Sequence, residues 1–499
     1  MMLLKKISIL QKFDATAPIF LVVALVLGFT PPLGAATWKK PTLLSSNDAT
    51  QPDTAIDGNG NVVSVWVEKP DANGTGQIWT KSRKNAIWTA ASALDLAIDS
   101  HNPNIEISAT GNATAAWSNS AGIWSANRPA GRDWTMPKLL VPTPASGLGR
   151  TKFSMNSKGD ALLTWVEGSH FGLSVNFMKR PANAAWSLPA VVAANANPFV
   201  VLQGGDGVDL IESIIGENGD ALTAWTRYGI HPHGYKLAQQ LQVSRLQKNG
   251  SAWQPSPVLG TVETVYYYDT LKTSLLLDAQ GRAGMVFNTP DANLNYNWVI
   301  AKQTGANQAW STPSIMPIDN ADTTCDQLMT LTDIVGCWKD YPSEGSARSD
   351  AKGNITFMYT DRYGYYDSWD GTYYASRTRS ITGNLGSTTW TVPTTLLAYN
   401  DSSNYWNYGS YLTKYDVGAN GAGVFAWPWY NATTFSPLLK AKMRPSATGS
   451  WSSSLSYNFN TPNNTGKVLD VKVNQNGNTS ILYENFDSLN HLLYVVTYN

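Results

Sequence analysis

One spacing recurs eight times along this chain of 499 residues and limits the fold more than any other feature. A glycine closes a short polar turn, and an aromatic ring stands six residues later: Gly60/Trp66, Gly111/Trp117, Gly159/Trp165, Gly219/Trp225, Gly281/Phe287, Gly353/Tyr359, Gly421/Trp427 and Gly477/Tyr483. The next residue is often Asn or Asp (Asn61, Asn112, Asp160, Asp220, Asn354, Asn478). Gly and Asn tolerate the positive φ that tight hairpin turns need. Apolar runs follow, such as VVSVW, ALLTW and GVFAW. Each unit therefore reads as a β-hairpin of strands a and b.

A second half-unit follows each hairpin. It ends a strand c in a polar or basic turn, then places a Trp, often with Pro three residues on: Trp134/Pro137, Trp186/Pro189, Trp310/Pro313 and Trp390/Pro393. Trp88, Trp253 and Trp451 hold the same place without that proline. Proline is tolerated chiefly at sheet edges, so strand d is the outer edge of a four-stranded sheet. The two chain ends match. The last unit stops after strand c (Leu492 to Tyr498), while Trp38-Lys-Lys-Pro41-Thr-Leu-Leu44 is a strand d without a hairpin. The expected fold is all-β, a single β-propeller over residues 37–499 with eight four-stranded blades. The N-terminal strand completes the last blade. Seven blades with one inserted repeat, or an open solenoid, are the alternatives. A buried aromatic removes about 150–250 Å² from water, worth roughly 4–6 kcal/mol at ~25 cal/mol/Å². The repeated rings therefore read as packing between blades rather than as ligand contacts.

The c–d turns carry a family resemblance. Asn127-Arg-Pro-Ala-Gly131-Arg-Asp-Trp134, Lys179-Arg-Pro-Ala-Asn-Ala-Ala-Trp186 and Lys442-Met-Arg-Pro-Ser-Ala-Thr-Gly449-Ser-Trp451 resemble the Asp box, Ser/Thr-x-Asp-x-Gly-x-Thr-Trp. The repeats are similar to those of secreted bacterial propellers of the sialidase-like, Asp-box-related group. The box Asp is replaced here, and the Phe/Tyr-Arg-Ile-Pro motif of sialidases is missing from the sequence. The resemblance implies the propeller fold; a sialidase arginine triad is not assignable.

At the N-terminus, Lys5, Lys6 and Lys12 precede an apolar run from Ile19 to Phe29 and the small residues Gly34-Ala35-Ala36. This is the pattern of a signal peptide over residues 1–36. The run falls short of the about 20 residues that span a bilayer. The expected product is secreted or periplasmic, without membrane insertion, and monomeric. Cys325 and Cys337 are the two cysteines. In an exported chain they are expected to form one disulfide closing a short loop. Thirty-six basic residues balance 36 acidic ones. That neutrality lacks the basic field a phosphate backbone requires, so nucleic acid is not an expected partner.

Strand connectivity puts a–b and c–d turns on one face and the more variable b–c and d–a loops on the other. Long, variable loops on a rigid scaffold are where binding usually resides. The stretches read as long loops are 226–240, 288–297, 360–374 and 428–437 between b and c, and 194–210, 260–271, 317–346 and 398–411 between d and a. They hold Tyr266, Tyr267 and Tyr268; Tyr363, Tyr365, Tyr366, Asp367, Trp369 and Asp370; Trp406; and Trp429. Rings beside carboxylates suit sugars, whose C–H faces stack while hydroxyls bond to polar groups. Such rings also form small aromatic clusters that merely hold loops together. The five histidines fall on the same face, and the pair His231/His233 lacks carboxylate partners that would make a metal site. No metal or cofactor is expected. The expectation is an exported binding protein for a glycan or a protein. The alternative is a carbohydrate-active enzyme, a polysaccharide lyase or glycosidase, at the same face; no motif pairs two carboxylates as a glycosidase needs.

Overall fold

The computed structural model describes residues 37–45, 47–69, 75–168, 174–194, 207–230, 237–264, 272–290, 296–318, 334–367, 371–401, 413–431, 436–452, 455–458, 467–486 and 491–499. The chain divides into a leading unit, Met1–Trp38, and the unit Lys39–Asn499 that carries the ring. The second unit is an eight-bladed β-propeller of antiparallel sheets. Among the described residues there is no helix. Blades two to seven each run a-b-c-d from the inner strand outward. Blade one has its strand d split into Ile87–Trp88 and Ser92–Ala93, both paired to strand c. In blade eight, Lys467–Val473, Thr479–Phe486 and His491–Tyr498 are strands a to c, and Thr42–Ser45 is strand d. That closing pair has Thr42 opposite Val495 and Leu43 opposite Tyr494. Each strand a contacts strand a of both neighbouring blades, all the way round and back to blade one.

The turn glycines explain the repeat. All eight lie at φ between 79° and 97°, where a side chain is strained. Three residues earlier, an Asp or Asn side chain caps the turn in five of the blades, while Gly216 and Gly418 hold that place in two others. Asp57 Oδ1 accepts from the N–H groups of Asn59 and Asn61. Asn156, Asp278, Asp350 and Asn474 repeat that geometry in four other blades. These are Asx turns, and the Asp57-Gly-Asn-Gly-Asn61 run is one of them. Turns also bond to their neighbours, and Asn474 Nδ2 donates to Asp57 O across the seam between blades eight and one.

The aromatic six residues on is buried in every blade, from Trp66 at 1% exposed to Trp165 at 3%. Trp117 and Trp165 join clusters that cross from one blade to the next. The strand-d tryptophans make a second, half-buried layer. Arg128, Arg180, Lys302 and Arg444 lie over the rings of Trp134, Trp186, Trp390 and Trp451 at 5.0 to 5.7 Å. The residue after each such Trp donates its N–H to a strand-c carbonyl, from Thr89 to Ser82 O through Ser452 to Met443 O, at 2.7 to 2.9 Å. Lys39 donates to Thr497 O at 2.8 Å, so the closing strand enters its blade by the same bond as the others. The prolines stand just before the paired stretch of strand d (Lys138, Ala190, Ser314 and Thr394 begin it), where no N–H is required.

Inner strands are sheet edges, and edges leave N–H groups unpaired. Here a polar side chain of one blade reaches the next. Asp53 Oδ2 accepts from Ile105 N at 2.8 Å, and Ser154 Oγ from Ile215 N at 3.2 Å. Glu212 Oε2 accepts from Leu275 N at 2.7 Å, Ser274 Oγ from Ala347 N at 2.9 Å, and Asp416 Oδ2 from Val473 N at 2.8 Å. All five run in the same direction around the ring.

Candidate functional site

The loop-rich rim differs from the sequence reading in one instructive way. Residues 360–374 and the end of 317–346 are largely strand. In blade six, strands a, b and c are Ile334–Ser349, Asn354–Asp367 and Gly371–Asn384, of 16, 14 and 14 residues. In the other blades these strands have 4 to 10 residues. Blade six thus carries a three-stranded extension. Tyr and Thr favour pleated strands, and pairing with two neighbouring segments carries the ladder past the Gly and Asp among them. The a–b ladder is interrupted between Asp340 and Glu344, around Pro342, which has no N–H to give.

The register fixes the predicted residues along this extension. Tyr363 is opposite Ala375 and Lys339, and Tyr365 is opposite Tyr373 and Cys337. Tyr366 is opposite Thr372 and Gly336, and Asp367 opposite Gly371 and Ile334. At its base Asp361, 1% exposed, accepts from the Arg377 guanidinium at 2.8 Å, with Arg379 at 3.7 Å. A buried carboxylate needs such partners, so the extension springs from a fixed footing. Trp429 lies in strand b of blade seven, Gly423–Asn431, opposite Leu438. Tyr266, Tyr267, Tyr268, Trp369, Asp370, Trp406, Cys325 and the His231/His233 pair lie outside the described residues.

A second cluster lines the axis and went unmarked in the sequence reading. Inner strands of blades seven, eight, one and two surround a cavity of about 240 Å³. Glu106, Asp416 and Lys472 line it beside Ile56, Ile107 and Val473. Lys472 Nζ lies 3.6 Å from Asp470 and 3.9 Å from Asp53 of the adjoining blade. Arg348 Nε lies 3.7 Å from Asp416, again across a blade boundary. Burial pushes the Glu106 carboxyl up to about 8; Lys472 opposes this, and Asp53, Asp470 and Asp416 add to it. Burial likewise raises Asp470 to about 7 against the pull of Lys472, and raises Asp416. Asp470 and the other carboxylates hold the Lys472 ammonium well above its ordinary value. Tyr415 is pushed up to about 12 by burial, and its hydroxyl donates to Ser346 O at 2.5 Å. A neutral carboxyl beside a fixed cation can donate a proton or a hydrogen bond at neutral pH.

A signal for this cluster exists in the sequence. Glu106, Arg348, Asp416 and Lys472 each stand five residues before a turn glycine, and Asp53, Lys152, Glu212 and Asp470 seven before. Charges at fixed offsets from the turn glycine in the inner strands mark the axis.

No family model matches this chain, and no curated protein matches it. Among solved structures it resembles a PL25 ulvan lyase bound to -[GlcA(1-4)Rha3S]-, 12% identical over 78% of this chain and 93% of that one, with a TM-score of 0.45. It also resembles the Dos1 propeller (8% identical, 93% and 95% covered, TM-score 0.45). A third is an alpha-L-arabinanase of Penicillium chrysogenum (9% identical, 92% and 98% covered, TM-score 0.33). At these scores the neighbours say nothing of this chain's own ligand.

Proposed function

We propose that this is an exported, non-catalytic propeller that binds an extended glycan on its loop-rich face, along blades five to seven. The observation that supports the reading is the blade-six extension. Its ladder sets Tyr363, Tyr365 and Tyr366, with Asp367, on strand b and Tyr373 and Tyr374 on the paired strand c. Stacked rings contribute about 1 kcal/mol each, so several are needed for micromolar affinity, which requires about 8 kcal/mol in all. Tyr266–Tyr268, Trp369, Trp406 and Trp429 are proposed to continue the same surface. A glycan array on the mature chain, followed by affinity electrophoresis, tests it. The parent should be retarded by at least one polysaccharide, and Tyr363→Ala/Tyr365→Ala should lose that retardation while melting within a few degrees of the parent. Equal retardation of the two proteins would sink the rim assignment.

Glu106 favours a second reading, a lyase or glycosidase, because it keeps its proton near neutrality. New reducing or unsaturated chain ends in the same polysaccharides would replace binding with catalysis. Export itself is tested by the N-terminal sequence of the protein recovered outside the cytoplasm, which should begin near residue 37.

A further inference from the structure

On the face of the short a–b and c–d turns, opposite the rim, a cavity of about 210 Å³ opens between blades two and three. Three cations line it, Arg128, Lys158 and Arg180, and no carboxylate does. Asn112, Asn127, Asn183 and Thr114 supply the other polar atoms.

Arg180 is 9% exposed. Its guanidinium donates to Asn127 Oδ1 and, at 2.7 Å, to Thr114 Oγ1 in the neighbouring blade, and its buried Nε has no partner. Burial lowers the proton affinity of Arg180, as it does that of Arg128, where the charge of Asp57 opposes the effect. Asp57 is already engaged: its oxygens accept from Asn59 N, Asn61 N and Asn61 Nδ2 within their own turn. Lys158 directs its ammonium to Glu217 O.

Arg128 is the telling residue. In two other blades an arginine at this repeat position bonds a threonine three residues beyond the turn glycine of the preceding blade, Arg180 to Thr114 and Arg444 to Thr356. For Arg128 the equivalent position in blade one is Val63, which has no acceptor. Arg128 lies over the Trp134 ring at 5.7 Å, makes no ion pair or side-chain hydrogen bond among the described residues, and its Nε is buried without a partner. Two guanidiniums, each with an unpartnered Nε, facing one cavity lined by no carboxylate, match the fork geometry by which arginine takes a planar or tetrahedral oxyanion.

We propose that this inter-blade cavity is a binding site for a small oxyanion, a carboxylate or sulfate group, taken between Arg128 and Arg180. It does not depend on the rim reading, since it lies on the other face and uses none of the same residues.

The test titrates the full mature chain with sodium sulfate and, separately, sodium acetate at constant ionic strength in chloride, reading heat of binding and melting temperature. At least one anion should bind saturably. Arg128→Gln should weaken that binding at least tenfold, while Arg132→Gln, an exposed neighbour outside the cavity, should not. Whether sulfate or acetate binds identifies the shape of the group. Should Arg128→Gln fail to fold, phenylglyoxal modification of Arg128 in the parent, followed by peptide mass, replaces it; bound anion should slow that modification. An unsaturable response shared by parent and Arg128→Gln, or Arg128 modification unaffected by either anion, would overturn the site.

Discussion

Trp117 shows how far a single residue can be read from sequence. Its place six residues after Gly111 marks it as framework, and it is 1% exposed with Nε1 donating to Asp95 Oδ2 at 2.7 Å. Trp117→Ala should cost about 3–5 kcal/mol, measured by urea denaturation. Trp117→Phe should cost less, keeping most of the apolar burial but leaving Asp95 short of a donor. Glu106 is harder to read, because its signal is an offset shared between blades rather than a local pattern. A charge in a strand looks like solvent-facing surface until the ring shows that inner strands face one another. Its raised proton affinity makes a pH prediction. The folded state holds the Glu106 proton up to about pH 8, and the Asp470 proton up to about 7, whereas ordinary carboxyls release theirs near 4. Both contributions are therefore complete below about pH 4 and are lost as pH rises to about 8. Over that window the parent should lose stability relative to Glu106→Gln, seen as converging or crossing denaturation midpoints between pH 5 and 8. A parent that gains stability relative to the variant over this range would contradict the assignment.

At the scale of an element, the a–b hairpin was the most legible piece and the blade-six extension the least. The hairpin is specified locally: a capping Asp or Asn, a glycine at positive φ, then an apolar run. Asp350 illustrates the cap, accepting from Lys352 N and Asn354 N, each at 2.9 Å, and from Asn354 Nδ2 at 2.7 Å. Asp350→Ala should destabilise the protein by about 1–3 kcal/mol because buried donors lose their acceptor, whereas Asp350→Asn should recover much of it. Melting temperatures of the two variants decide between a cap and a bystander. The extension lacked such a local rule. Its Tyr-rich strands contain Gly364 and Asp361, residues that commonly end strands, and it is the pairing of three neighbouring segments that overrules them.

For the whole molecule, the matched chain ends carried the closure, since an unpartnered strand d at one end and a blade without one at the other have a single economical solution. Deleting residues 37–45 should leave strand c of blade eight as an open edge. The lost ladder and the exposed Leu44, 4% exposed in the ring, together amount to several kcal/mol. The truncated protein should aggregate or melt well below the parent in scanning calorimetry; a melt like that of the parent would refute the closure. What the sequence could not convey at this scale is which cavities survive between blades, because those depend on how side chains from two neighbouring blades, such as Arg128 and Arg180, fill one seam.

The Lys39 N to Thr497 O bond also sets a timetable. Blades one to seven are each built from contiguous chain and can form as the polypeptide emerges. The eighth joins the first segment to the last, so it waits for the whole chain. The entropy of closing so long a loop grows only logarithmically with its length, but long-range pairing is slow. The molecule should therefore pass through a seven-bladed arc with two raw edges, open to capture by chaperones or by another copy of itself, and refolding should end in one slow phase that reports the seam. Linking residue 499 to residue 39 and cutting the chain in a c–d turn elsewhere should move that slow step to the new cut.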